Sequence, residues 1–114
     1  MHLNLLFKDI LYHMGRTCSF SVTDRTTPER IDTIFNSIWA MEERVKFEIN
    51  TTHCNNISLR RILSMKSVLD LHRPNSRKYL ESSTILVKTQ FARRLLQLGL
   101  ALIRTERPVY VKVI

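Results

Sequence analysis

The longest periodic stretch of the sequence, residues 27–50, most constrains what the chain can fold into. Thr26 or Thr27 can cap a helix, and Pro28 suits its first position because the N–H of that position has no partner inside a helix. The apolar side chains that follow recur at steps of three and four residues, which places them on one helix face. They are Ile31, Ile34, Ile38, Met41 and Val45, widened by Phe35, Trp39 and Ile49. The stretch predicts one long helix that packs against more than one neighbour.

Glycine and proline are scarce in this chain, which limits the number of tight turns. Its 114 residues include two glycines and three prolines, with 44% hydrophobic and 25% charged residues. This composition is typical of one globular domain and excludes a mainly disordered chain. We therefore expect a single helical domain over residues 1–114 with short connections.

Two segments alternate between apolar and polar residues, as half-buried strands do. The first covers residues 17–23, and the second covers residues 109–114 behind Pro108, which is acceptable at a strand start. A strand must pair its backbone groups, so we expect these two strands to pair with each other. If they do not pair, each offers an open edge to a partner chain.

The remaining segments carry helical periodicity. They are residues 3–14, which end at Gly15, residues 58–71, which end before Pro74, a segment from Arg77, and residues 84–104. The polar run Ser82-Ser83-Thr84 is expected to separate the segment from Arg77 and the segment 84–104 into two helices, or to kink a single helix that contains both. The predicted fold is mainly α with a minor β part, in the order α-β-α-α-α-β, with two short strands.

Charge is divided unequally along the chain. Residues 1–50 carry six Lys/Arg against seven Asp/Glu, whereas residues 51–114 carry twelve against three. The formal net charge of +8 therefore comes from the second half alone. A basic surface of this kind favours nucleic acid, an acidic protein or an anionic membrane surface as a partner.

The predicted nucleic-acid or acidic-partner site consists of basic residues of the second half. These are Arg60, Arg61, Arg77, Lys78, Arg93, Arg94, Arg104 and Arg107. Arginine forks suit phosphates, and such a surface loses affinity steeply with salt. The alternative is a solvated face on which some arginines pair with Glu42, Glu43 and Glu48.

The last predicted helix, residues 84–104, is apolar over at least half of its circumference. One stripe contains Val87, Phe91, Leu95, Leu98 and Leu102, and a second contains Ile85, Ala92, Leu96 and Ile103. A helix of this kind is buried from two sides, and one side can belong to another protein. The predicted protein-interface residues are Leu86, Leu96, Leu100 and Ile103.

The sequence contains no pattern that announces catalysis, a metal or a cofactor. Cys18 and Cys54 are the only cysteines, and the four histidines lack metal-ligand spacing. The two glycines are too far apart for a phosphate-binding loop. We expect a protein that is not an enzyme and binds no cofactor or metal.

No apolar run reaches the roughly 18 residues of a membrane span. The first residues do not resemble a secretory signal, so we expect an intracellular protein, with the compartment left open. The predicted function is a non-catalytic helical subunit of a larger assembly, such as a ribonucleoprotein. Its partners would be other protein subunits, with nucleic acid and a second copy of the chain as further partners. The alternative is a dimeric DNA- or RNA-binding regulator with a helix-turn-helix-like second half.

Overall fold

The computed structural model describes residues 16–114 of the chain. The helix predicted over residues 3–14 lies outside the described residues. In chain order the elements are β1 (Arg16–Ser21), α1 (Pro28–Trp39), β2 (Val45–Asn50), α2 (Leu59–Ser64), α3 (Lys66–Leu71), α4 (Arg73–Tyr79), β3 (Leu80–Val87), α5 (Gln90–Ile103) and β4 (Val109–Val113).

The four strands form one parallel sheet in the order β1-β2-β3-β4. The prediction of a mainly α fold with two short strands is therefore wrong, because the chain has an α/β fold. The strands predicted at residues 17–23 and 109–114 are confirmed as β1 and β4. Their predicted pairing is wrong, because they lie at opposite edges of the sheet.

The long helix predicted over residues 27–50 is in fact a helix followed by a strand. Its start is confirmed, since the Thr27 side chain accepts a hydrogen bond from the Arg30 N–H at 3.2 Å. Helix α1 ends at Trp39, and Glu42 adopts a left-handed backbone with φ of 53°. Val45 and Ile49 fit the helical spacing, yet with Phe47 they also alternate as one face of strand β2. The four-residue step between them satisfies both periods, and the helical pattern in the sequence therefore continues into the strand.

The second half departs from the prediction in a similar way. Residues 58–71 form two short helices on either side of Met65, although the predicted cap at Ser58 is confirmed by a hydrogen bond from the Arg61 N–H at 3.2 Å. The helix predicted over residues 84–104 starts at Gln90, because Leu80–Val87 is strand β3. The serine run lies within this strand and does not kink a helix. A strand between α4 and α5 also removes the basis for a helix-turn-helix.

One face of the sheet is covered by helices. Cys18, Phe47, Ser83 and Val109 lie in one row across the four strands, since each pairs with the next. This face packs against α1 and α3 at the β1–β2 side and against α5 at the β3–β4 side. Two layers, one of helices and one of strands, enclose the core.

The core changes character from one end of the sheet to the other. At the β1–β2 end it is aromatic, with Phe35, Trp39 and Phe47 within 5.9 Å of one another between ring centroids. At the β3–β4 end it is aliphatic, and Val87 is fully buried there.

No helix among residues 16–114 packs on the opposite face of the sheet. Its strand positions carry mostly polar side chains: Thr17, Ser19, Ser21, Lys46, Glu48, Asn50, Ser82, Thr84, Leu86, Tyr110 and Lys112. Most parallel sheets are covered on both faces and read as continuous apolar runs. Here each strand alternates, and its most buried side chains lie on the face that α1, α3 and α5 cover.

Candidate interaction surface

Helix α5 exposes a row of large apolar side chains on its outer side. Phe91, Leu98 and Leu102 are 72%, 52% and 55% exposed, and Leu95 is half-buried between them. These four residues, called the α5 stripe below, are spaced by four, three and four residues, so they follow one line along the helix. The structure thus places a continuous apolar row in solvent.

The opposite stripe of α5 is the one that packs into the domain. Ala92, Leu96, Gly99 and Ile103 are buried. Gly99 permits the closest approach, because a Cβ atom at this position would lie only 2.5 Å from Cγ2 of Ile62 in α2. Gly99 therefore lies where α5 and α2 approach each other most closely on the inner face.

The predicted interface residues are divided by this arrangement. Leu96 and Ile103 are 8% and 2% exposed, so their apolar surface is used within the domain. Leu100 is half-buried against the aliphatic core, and Leu86 is half-buried on the opposite face of the sheet, on which no helix of residues 16–114 packs. The large exposed side chains belong to the α5 stripe, which sequence reasoning described but did not select as the interface.

Half of the predicted basic site is engaged inside the domain. Arg61 donates to the carbonyl oxygens of Thr23 and Thr26 at 2.6 and 3.3 Å. Arg93 donates to the side chain of Gln90 at 3.4 Å. Arg77 and Arg107 are brought together, because Nη2 of Arg107 donates to the carbonyl oxygen of Arg77.

Arg77 belongs to an ionic cluster that sequence reasoning missed. Glu106 lies 2.7 Å from Nε of Arg77 and 3.5 Å from Nη1 of Arg73, and Arg73 also pairs with Asp70 at 2.8 Å. The hydrogen bond from Arg77 lowers the pKa of Glu106. This cluster ties α4 to the connection between α5 and β4, so its arginines have a structural role.

The other four predicted basic residues are exposed. Arg60 lies in α2, Lys78 in α4, Arg94 in the first half of α5 and Arg104 directly after α5. None of the four has an ion pair with another described residue. Lys78 lies 5.0 Å above the ring of the neighbouring Tyr79. Binding of RNA or DNA by these side chains stays a prediction.

A buried histidine forms the most enclosed polar site among the described residues. His72 is 3% exposed, and its Nδ1 accepts the indole N–H of Trp39 at 3.0 Å. Since the indole nitrogen can only donate, Nδ1 carries no proton, and Nε2 donates to Asp32 at 2.6 Å. Both ring nitrogens are engaged in hydrogen bonds to α1, so this histidine joins α1 to the end of α3. Neither nitrogen is free to bind a substrate.

The cysteines and acidic residues do not converge on a metal site within residues 16–114. Cys18 and Cys54 are free thiols, and burial raises the pKa of both. In the same part of the chain no helix has the length and apolar character needed to cross a membrane, which agrees with the prediction of no membrane span.

Comparisons of the chain with protein families, with curated proteins and with solved structures found no match. The α5 stripe and the side chains around it are the features of the described residues that bear most directly on function.

Proposed function

We propose that this protein is a non-catalytic interaction subunit that self-associates through the α5 stripe. The single observation that supports the proposal is the exposure of Phe91, Leu98 and Leu102, which is more than half for each side chain. A row of this kind marks a contact surface, because leaving it in water forgoes roughly 25 cal/mol per Å² of apolar area that a partner would bury.

The spacing of the stripe favours a second copy of this chain as the partner. Steps of four, three and four residues read the same in both directions. When two α5 helices pack antiparallel about a two-fold axis, Phe91 meets Leu102 of the second copy and Leu95 meets Leu98 of the second copy. One symmetric contact thus pairs all four side chains, as a two-fold interface requires.

Electrostatics favour the antiparallel arrangement. Antiparallel helices place the positive end of each helix dipole beside the negative end of the other. Arg94 flanks the stripe, and in this arrangement it lies beside Ala101 of the second copy, while the two Arg94 side chains stay apart. A parallel arrangement would instead place both positive helix ends, each with its own arginine, at the same end of the dimer.

The area of the stripe sets the expected strength of the contact. A helix of 14 residues is about 21 Å long at 1.5 Å per residue. Four side chains on such a helix cover less than the roughly 800 Å² per partner of a standard interface. We therefore expect a reversible dimer with a dissociation constant on the order of micromolar.

The absence of a catalytic role is part of the proposal. It is supported by the engagement of both ring nitrogens of His72 and by the raised pKa of the Cys18 and Cys54 thiols, which lowers their thiolate fraction. We also propose that this dimer is a subunit of a larger assembly.

Sedimentation over a range of concentrations tests self-association. The wild-type chain should shift from monomer to dimer below about 100 μM, since this is roughly a hundred times a micromolar dissociation constant. Leu98→Glu should remain monomeric, because the dimer would bury the introduced carboxylate without a partner. Gln97→Glu adds the same charge to an exposed neighbour outside the stripe and should dimerise like the wild type.

Circular dichroism of both variants checks that the fold is retained. A wild-type chain that stays monomeric at 100 μM, or a Leu98→Glu variant that dimerises like Gln97→Glu, would contradict the proposal.

A further inference from the structure

A cavity lies between the helix layer and the sheet, away from the α5 stripe. Its volume is about 160 Å³, and it is partly open to solvent. Phe20, Ile49 and Ile85 of the strands line one wall, and Ile62, Leu96 and Leu100 of the helices line the other. The space is thus bounded on both sides by apolar side chains, at the junction of the aromatic and aliphatic parts of the core.

Three polar residues of the lining, Thr51, Cys54 and Arg61, donate hydrogen bonds to backbone carbonyl oxygens, and the two others, Asn56 and Ser58, are exposed at its border. The Thr51 hydroxyl donates to the carbonyl oxygen of Leu86 at 2.7 Å. The Cys54 thiol donates to the carbonyl oxygen of Val22 at 3.0 Å. Arg61 is held by backbone carbonyl oxygens and lies 3.5 Å from Asp24. The donors of Thr51, Cys54 and Arg61 named here are thus used within the protein and do not point into the cavity.

The connection between β2 and α2, which borders the cavity, is fixed in place. The carboxylate of Asp24 accepts the backbone N–H groups of Asn55 and Asn56, each at 3.0 Å. These hydrogen bonds lower the pKa of Asp24, so the carboxylate is ionised and keeps both bonds at neutral pH. This connection is therefore ordered before a ligand binds, which reduces the entropy that binding would cost.

We infer that this cavity is a binding site for a small, uncharged, apolar molecule of about the size of benzene. An internal water needs two to four polar partners, and an enclosed, engineered apolar cavity of about 150 Å³ binds benzene or xenon. The present cavity has a similar volume and an apolar lining, and its opening gives a ligand a way in. A charged or strongly polar ligand would lose its hydration and gain no hydrogen bond in return. The inference does not depend on the proposed dimer, because the cavity and the stripe use different faces of α5.

Benzene and phenol are the probes that test the ligand class. Benzene should raise the melting temperature of the full chain and shift the methyl NMR signals of Ile62 and Leu100. Phenol has nearly the same shape, but inside the cavity, away from the exposed Asn56 and Ser58 at its border, its hydroxyl would lose hydration without gaining a hydrogen bond, so its affinity should be roughly tenfold lower. Equal or tighter binding of phenol would overturn the assignment to apolar ligands.

The two cysteines report where the probe binds. Cys54 borders the cavity, whereas Cys18 lies in β1 and does not. Bound benzene should slow alkylation of Cys54 by iodoacetamide and leave Cys18 unchanged. Equal protection of both thiols would indicate general stabilisation and would overturn the assignment to this cavity.

Filling the cavity should abolish binding. Leu100→Phe adds volume inside the cavity, and Val22→Leu is a smaller change in the same lining for the case in which the first variant fails to fold. Leu71→Phe makes the same change as Leu100→Phe at a side chain that is 69% exposed, and this control should bind benzene like the wild type. Unchanged binding in the folded cavity variants, or no effect of benzene on the wild type, would overturn the inference.

Discussion

Trp39 donates its indole N–H to Nδ1 of His72 across 3.0 Å, and this hydrogen bond joins helix α1 to the end of helix α3. Both side chains are buried, at 6% and 3% exposure, so neither polar group has water as an alternative partner. The ring of Phe35 packs edge-on against His72 at 5.1 Å between centroids. The pair therefore forms a polar connection within the aromatic half of the core.

We expect strong coupling between Trp39 and His72 in a double-mutant cycle. His72→Phe leaves the indole N–H unpaired, and Trp39→Phe leaves Nδ1 unpaired as well as a smaller ring, so each should cost about 2–4 kcal/mol of unfolding free energy. The double variant has neither orphan and should be more stable than the sum predicts, by about 1 kcal/mol. Urea unfolding followed by circular dichroism measures all four proteins. Additive effects would show that the hydrogen bond contributes little.

The close contact between Gly99 and Ile62 yields a second prediction. Alanine normally improves a helix by about 1 kcal/mol over glycine, yet Gly99→Ala should destabilise the fold by about 1–3 kcal/mol. The reason is that a Cβ atom would lie 2.5 Å from Cγ2 of Ile62, whose branched side chain has little freedom within a helix. Urea unfolding should show this loss.

Two further variants test that explanation. Ile62→Leu removes the branch at Cβ, so Gly99→Ala should cost less in that background. Ala101→Gly on the exposed side of the same helix serves as the control and should lose about 0.5–1 kcal/mol from helix propensity alone. A Gly99→Ala variant that is more stable than the wild type would contradict the packing described here.

Asp24 gives a prediction about pH. The backbone N–H groups of Asn55 and Asn56, followed by Arg61, lower its pKa from the ordinary value of 3.8. A carboxylate with a lowered pKa in the folded state stabilises the fold above its unfolded pKa, and this stability is lost as the pH falls through the folded value. The unfolding free energy of the wild type should therefore decline below about pH 4. Asp24→Asn should show a shallower decline over that range in denaturant titrations, and parallel curves would contradict this role.

The two stripes of α5 show what the sequence could and could not reveal. Both stripes are visible in the helical periodicity, but their burial does not follow their size. The larger side chains, such as Phe91 and Leu98, are exposed, and the buried stripe contains Ala92 and Gly99. Close packing against α2 and the sheet selects small residues, and this depends on neighbours that periodicity alone does not identify.

Strand β2 could not be predicted from the sequence, because its apolar residues also fit a helical spacing. Val45 and Ile49 extend the step of four that begins in α1, and the chain contains no glycine or proline between Ala40 and Asn50 to mark the turn. The turn instead uses Glu42 at positive φ, a conformation that few residues other than glycine adopt. Strands β1 and β4 were predictable because each alternates cleanly and stands apart from a helical pattern.

The basic residues were predictable as a group but not as a site. Charge counting identified the second half of the chain, whereas tertiary contacts decided which arginines remain available. Arg61 binds carbonyl oxygens of the β1–α1 connection, and Arg77 pairs with Glu106, a residue far away in sequence. Long-range pairs of this kind need the fold before they can be assigned.

Cross-linking at the two ends of the α5 stripe tests the central claim, self-association through antiparallel α5 helices, most directly. Phe91→Cys and Leu102→Cys variants, each in a Cys18→Ser/Cys54→Ser background, are mixed in equal amounts and oxidised, with one variant isotopically labelled so that mass identifies the product. In the antiparallel dimer residue 91 faces residue 102 of the second copy, while identical positions lie about 16 Å apart along the helix at 1.5 Å per residue, too far for a disulfide. The proposal predicts mixed disulfides between the two variants and almost no homodimers. Disulfides between identical variants, or no cross-link above the level of random collision, would contradict it.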